Sequence, residues 1–300
     1  MRLIKTTHLK IWASSKASES RFPHIIKNLI CAVIQPKKLR FPSDDAIWVP
    51  GFDGELVSAD ENRFVPTGFS AWELGTDADY KTKANREYQK RSTKDPEEVE
   101  GKSAVRKYDR SEIAFVFVTP LIWKDKEDWV TAKKKEGIWR DVWVIDGVDL
   151  QDWLEIASAV SLQFAGELGI VPEEGLYTAD QAWEDWSRRT EPPTSEELVV
   201  VGREEQEKEL IDRLIESPTT LTVRGDSQHE AWGFTLAALR RISSEEERLR
   251  LYSRIIVADN EKIAGRLQHL QNLIIILKTG FWSGFRASFL PWLSRDYPRR

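Results

Sequence analysis

The stretch FSAWELGTDADYKTKANREYQKRS, residues 69–92, reads as a short buried strand that runs straight into a strongly basic helix. Its strand carries Glu73 between Trp72 and Leu74, and an ionised carboxylate is costly to bury unless something pairs with it. The helix that follows, capped by Asp77 or Asp79, crowds Lys81, Lys83, Lys90 and Arg91 into its turns. Glu73 is therefore expected either to have a structural partner or to be held for chemistry.

Working outward, SRFPHIIKNLICAVI places Ile25, Ile26, Leu29, Ile30 and Val33 on one helical face. AIWVPGFDGELVSA reads as an extended segment broken at Pro50-Gly51 that continues as a strand through Val57, and DENRFVPTG is turn chemistry. STKDPEEVEGKSAVRKYDRS reads as a loop or weak helix. After it come the apolar strand EIAFVFVTPL, the helix WKDKEDWVTAKKKEGIW, the strand RDVWVIDG and a helix from Asp149 through DLQDWLEIASAVSLQFAGELG. That order predicts an α/β domain over residues 1–172 with a mixed sheet flanked by helices. A proline-rich, acidic linker is expected over 173–196. Over 197–300, strand and helix alternate: a short strand at LVVV, then GREEQEKELIDRLIES, TTLTVRGDSQHEAWGFTLAALRRI, YSRIIVADN and NLIIILK, as in a parallel sheet.

The 300 residues, 41% hydrophobic and 31% charged, provide enough apolar mass for a sizeable core. A net charge of −5 means that any nucleic-acid role must come from a local basic face. The single Cys31 excludes an internal disulfide framework and suits a reducing compartment. No signal peptide or membrane span is read, so a soluble, cytoplasmic protein is expected. The tryptophans Trp123, Trp129, Trp139, Trp143 and Trp153 are read as packing residues.

Asp53, flanked by Gly51 and Gly54, and Glu73 lie on successive strands, and adjacent antiparallel strands can set such residues side by side. Two close carboxylates repel unless a divalent cation joins them, and hard oxygen ligands suit magnesium, or manganese. Gly75 falls on the same strand face as Glu73 and leaves room for a lysine from the following helix. Lys83 is the first choice and Lys81 the second, as an ammonium that stabilises charge developing on a phosphate. Taken singly, an Asp in GFDG is a turn former and the basic helix a solvated face. Their order is what points to chemistry. Lys133 to Lys135 and Arg140 suit sequence-independent phosphate contacts.

The run GFDG…VPTGFSAWELGTDADYKTKANREYQKR resembles the PD-(D/E)XK (restriction-endonuclease-like) nuclease fold, in the form fused to STAND-type NTPases of antiphage defence. The resemblance covers about the first 170 residues. It implies a metal-dependent endonuclease acting on double-stranded DNA, with Asp53 and Glu73 as metal ligands. It further implies Glu19 as an accessory acid, and Tyr88 and Arg91 facing the site or the phosphate backbone. Gly75 stands where the family's lysine is expected, with Lys83 or Lys81 supplying the amine from the helix. A nuclease-like DNA-binding or sensor module without catalysis, or a nonfunctional remnant, is the alternative.

TLTVRGDSQHEAWGFTLAAL resembles the opening of a STAND module, hence a partial P-loop-NTPase-like unit. The second glycine and the lysine of a phosphate-binding loop are missing: Gln228, His229 and Glu230 follow Ser227. Nucleotide is therefore not expected as a cofactor, and His229 is expected to be exposed. Self-association through this module is expected, and GFWSGFRASFLPWLSRDYPRR reads as an irregular, truncated end.

Overall fold

The computed structural model describes residues 3–42, 51–93, 109–170, 174–216, 221–267, 270 and 273–278. The expectations for residues 43–50, for 94–108 and for the tail from 279 lie outside the described residues. The chain divides into two units, Met1–Pro172 and Glu173–Arg300. It is α/β, with mixed sheets flanked by helices.

The first unit begins with α1 (Thr6–Ala13) and α2 (Ser18–Val33), followed by β1 (Lys38–Arg40), β2 (Gly54–Ser58), β3 (Gly68–Leu74) and α3 (Tyr80–Thr93). Next come β4 (Ile113–Val118), α4 (Lys126–Lys135), β5 (Asp141–Ile145), α5 (Gly147–Ile156) and α6 (Ser158–Glu167). Helix α1 and strand β1 are additions to the sequence reading; both are short. The sheet order is β1-β2-β3-β4-β5. The first three strands pair antiparallel, and β3, β4 and β5 run parallel.

Strand β4, IAFVFV, is buried at every position, as its unbroken apolar run demands of a central strand covered on both faces. Side chains alternate across β3. Trp72 and Leu74 join Leu56, Val116 and Val118 in a core built with α1, α2, α5 and α6. Ala71, Phe115 and Phe117 face the other way, toward Ala84, Tyr88 and Trp123. Trp123, Trp139 and Trp153 are buried, while Trp129 and Trp143 pack partly buried against these cores.

The helix expected from Asp149 is two helices, α5 and α6, that part at Ala157. No glycine or proline lies at that break, so packing rather than local propensity sets it. Asp146 caps α5, accepting from Val148 N and Asp149 N, each at 3.2 Å, and also holds Trp123 N at 2.8 Å and Lys126 Nζ at 3.0 Å. Burial alone would raise the Asp146 carboxyl, but the Trp123 N–H and Lys126 outweigh it and hold it below the ordinary range. Its contribution is therefore present above the unfolded pKa of an aspartate and lost as pH falls through the folded one. Asp146→Ala is expected to cost about 3 kcal/mol in urea unfolding at pH 7, and clearly less near pH 3.

The second unit holds β6 (Leu176–Tyr177), α7 (Ala179–Ser187), α8 (Glu196–Val200), α9 (Glu204–Glu216) and α10 (Gln228–Arg240). It continues with α11 (Glu245–Tyr252), β7 (Ile255–Ala258), α12 (Glu261–Gly265) and β8 (Ile274–Leu277). Four sequence expectations are corrected here. The segment read as a linker contributes β6 and α7, with Ala179, Ala182 and Trp183 in the core. The valine run read as a strand is helix α8, because Ser195 caps it by accepting from Leu198 N and Val199 and Val200 turn into the core. The sheet is not all parallel: β6 runs antiparallel to β7, and only β7 and β8 are parallel. Residues 221–225, read as part of a strand, form none. Among the described residues no helix is long and apolar enough to cross a membrane.

Candidate functional site

Asp53 immediately precedes β2, whose register sets Gly54 opposite Trp72. Asp53 is thereby brought to the end of β3, where its Oδ2 accepts from Leu74 N at 2.8 Å. Glu73 projects from the sheet face covered by α3 and is only 2% exposed. Its Oε1 accepts from Arg91 Nε at 2.5 Å. The same guanidinium donates to Gly51 O and lies over the Phe52 ring, 4.9 Å from its centroid. Burial, and then the neighbouring Asp53 charge, push Glu73 up to about 8 despite Arg91. Asp53 is also raised, by burial first, against the opposing pull of Leu74 N–H, Lys83 and Arg91.

Helix α3 presents Lys83, Glu87 and Arg91 at successive four-residue steps, which share one stripe. The Lys83 stem runs beside Gly75: a Cβ there would stand 3.2 Å from Lys83 Cδ and 2.9 Å from Phe117 Cζ. The missing side chain thus leaves the lysine its path. Its ammonium pairs with Asp77 at 3.0 Å and acts electrostatically on Asp53. Glu87, 8% exposed, is a site neighbour that the sequence reading misses. It accepts from Arg86 Nε at 3.2 Å and Lys90 Nζ at 3.3 Å, and its charge raises both Asp53 and Glu73. The signal that could have found it is its position midway between Lys83 and Arg91.

Two sequence expectations are corrected. Tyr88 does not face the site: it is 1% exposed, packed edge-on to Phe115 and Trp129, with its hydroxyl on Lys133 O at 3.4 Å. Lys81 is drawn away to Asp125, at 2.5 and 2.7 Å from the two carboxylate oxygens. Glu19 is exposed on α2 and is not among the charges acting on Asp53 or Glu73. It lines a cleft of about 630 Å³ between the α1–α2 region and the loops after β3 and β4. Asp77 lines the same cleft, so the cleft begins where Lys83 is held. Of the basic residues expected to touch phosphates, Lys133 pairs with Glu136 at 2.8 Å, Lys134 with Asp141 at 2.6 Å, and Arg140 donates to Thr67 O.

Family models, curated proteins and solved structures provide no match to this chain.

The donor set at Asp53 and Glu73 can be tested against a hard divalent cation. Among the described residues no group of three or more His, Cys, Asp or Glu is placed to hold a metal ion. Magnesium, however, is commonly held by one or two carboxylates, with water and substrate phosphate completing the shell. Asp53 Oδ1 and Glu73 Oε2 have no hydrogen-bond partner among the described residues. The Asp53 charge raises Glu73, and the Glu87 charge raises both, a local excess of negative charge that a cation would offset. Those two residues fit the ion in that shared form.

In the second unit, Ser227 caps α10 by accepting from Glu230 N at 3.1 Å. Glu230 Oε2 accepts from Asp226 N at 2.9 Å, and its Oε1 pairs with Arg203 at 2.8 Å. The chain's own carboxylate therefore sits at the helix start where a phosphate-binding loop would receive its anion. His229 is exposed and stacks on Trp186, with ring centroids 5.2 Å apart.

Proposed function

We propose that the first unit is a metal-dependent nuclease domain of the PD-(D/E)XK kind, which hydrolyses phosphodiester bonds in DNA. The observation that carries this reading is buried Glu73 beside Asp53 at the end of one strand, with the Lys83 charge acting on Asp53. The element order supports it as well: helix, three antiparallel strands, helix, then a parallel strand.

Asp53 and Glu73 would hold a magnesium ion, whose chemistry is Lewis-acid polarisation of the phosphate and activation of water. Leu74 N–H fixes the Asp53 carboxylate, and Arg91 fixes that of Glu73. Lys83 supplies a positive charge on the same side, suited to a phosphate gaining charge in the transition state.

A DNA-binding module without catalysis is the second reading, favoured by the Arg91 guanidinium already satisfying one oxygen of Glu73. Incubation of the full chain with supercoiled plasmid and Mg²⁺ separates the two. Nicking that disappears in EDTA is expected, and binding without nicking would leave only the second reading. An effector role in antiphage defence, with the second unit as a degenerate STAND-like module that self-associates, is the biological setting we propose from the resemblance.

A further inference from the structure

The cleft beside the site has two chemically different walls. One is apolar and aromatic, from Tyr80, Leu121 and Ile122, with Tyr80 fixed by its hydroxyl on Ile122 O at 3.0 Å and its ring against Trp123. The other, from α1 and the α1–α2 turn, carries Lys10, Lys16 and hydroxyls including Thr7 and Ser15. Lys10 and Lys16 are exposed and have no ion pair among the described residues, unlike Lys81, Lys83 and Lys126. Two acids, Glu19 and Asp77, also line the cleft, and Asp77 is neutralised by Lys83.

Cations and hydroxyls in one cleft with an aromatic, apolar surface match the two halves of a nucleotide: the phosphate-sugar edge and the base face. At about 630 Å³ the concavity lies within the range of small-ligand sites. A duplex keeps its bases stacked inside and cannot offer a base face to such a wall, whereas a single strand can.

We infer that this cleft seats an unpaired nucleotide strand leading into the Asp53–Glu73 site, so that DNA with a single-stranded segment is bound in preference to intact duplex. The inference rests on the nuclease reading for its chemistry, and its test is one of binding alone.

Fluorescence anisotropy in EDTA, with the full chain, would compare a blunt duplex with the same duplex carrying an oligo-dT overhang. The overhang substrate is expected to bind at least about tenfold more tightly. The double variant Lys10→Glu/Lys16→Glu, at exposed positions, is expected to erase that difference and lower the salt slope by about 1 to 2. Ile122→Asp, at a 47% exposed residue of the apolar wall, is expected to erase it also. Equal binding of the two DNAs, or a difference retained by either variant, overturns the inference. Cleft-dependent binding without Mg²⁺-dependent cleavage would defeat the nuclease reading and leave this one standing. Mg²⁺-dependent plasmid nicking together with equal binding of the two DNAs would do the reverse.

Discussion

Asp53→Asn and Glu73→Gln are each expected to lower Mg²⁺-dependent plasmid nicking by about 10²–10³-fold while leaving the folded chain at least as stable. Both substitutions preserve shape. The new amide oxygen at position 53 can still accept from Leu74 N, and the one at position 73 can still accept from Arg91. What each removes is charge that burial makes costly, as the upward displacement of both carboxyls indicates. A purely structural acid would give the opposite pattern, with stability lost and any activity falling only as the protein unfolds. Lys83→Met, which keeps the stem beside Gly75 and deletes the ammonium, is expected to cost about 10²-fold by the same assay. Nicking that survives all three changes would place the chemistry elsewhere.

The second large effect concerns Arg91. Its side chain is 17% exposed and pairs with a Glu73 side chain that is 2% exposed. Removing one partner of a buried pair strands the other, so Arg91→Ala is expected to destabilise the first unit by about 3 kcal/mol at pH 9, above the Glu73 pKa. The size of that loss depends on pH. Glu73 has a folded pKa of about 8 against an ordinary value of 4.5, so its stabilising share is complete below pH 4.5 and lost as pH rises through 8. In EDTA, unfolding midpoints of the wild type should therefore fall between those limits, and Glu73→Gln should flatten that slope. Arg91→Ala should be far more harmful at pH 9 than at pH 6, where Glu73 takes up a proton instead of standing charged and alone. An Arg91→Ala cost that is the same at both pH values would show that Glu73 does not titrate in this range.

The candidate site residues are legible in the sequence to different degrees, for physical reasons. Asp53, Glu73 and Lys83 can be read because each is anomalous locally: an acid at a strand break, an acid inside an apolar strand, and a lysine shortly past a small residue. Tyr88 is misread because a helix turns by about 100° per residue. Ala84 and Tyr88 occupy the core-facing stripe, while Lys83, Glu87 and Arg91 occupy the stripe beside it. Glu87 looks like one of many charged helix residues, since burial of a carboxylate depends on what covers it. In the second unit, four apolar residues in LVVV suggest a strand, yet Ser195 and the acids at the helix start turn the first three of them into α8.

The sequence by itself determined the strand and helix succession around residues 54–145, because periodicity and apolar runs are local properties that each segment carries with it. It also determined the candidate chemistry, since two acids and an amine in that order are visible without coordinates. Only the tertiary structure decided which of these groups share a charged neighbourhood. Register brought Asp53 to Leu74, the rotation of α3 chose Lys83 over Lys81 and turned Tyr88 inward, and burial set the ionisation of Glu73. Such electrostatic coupling depends on distance and on exclusion of water, and neither is written in the order of residues along a chain.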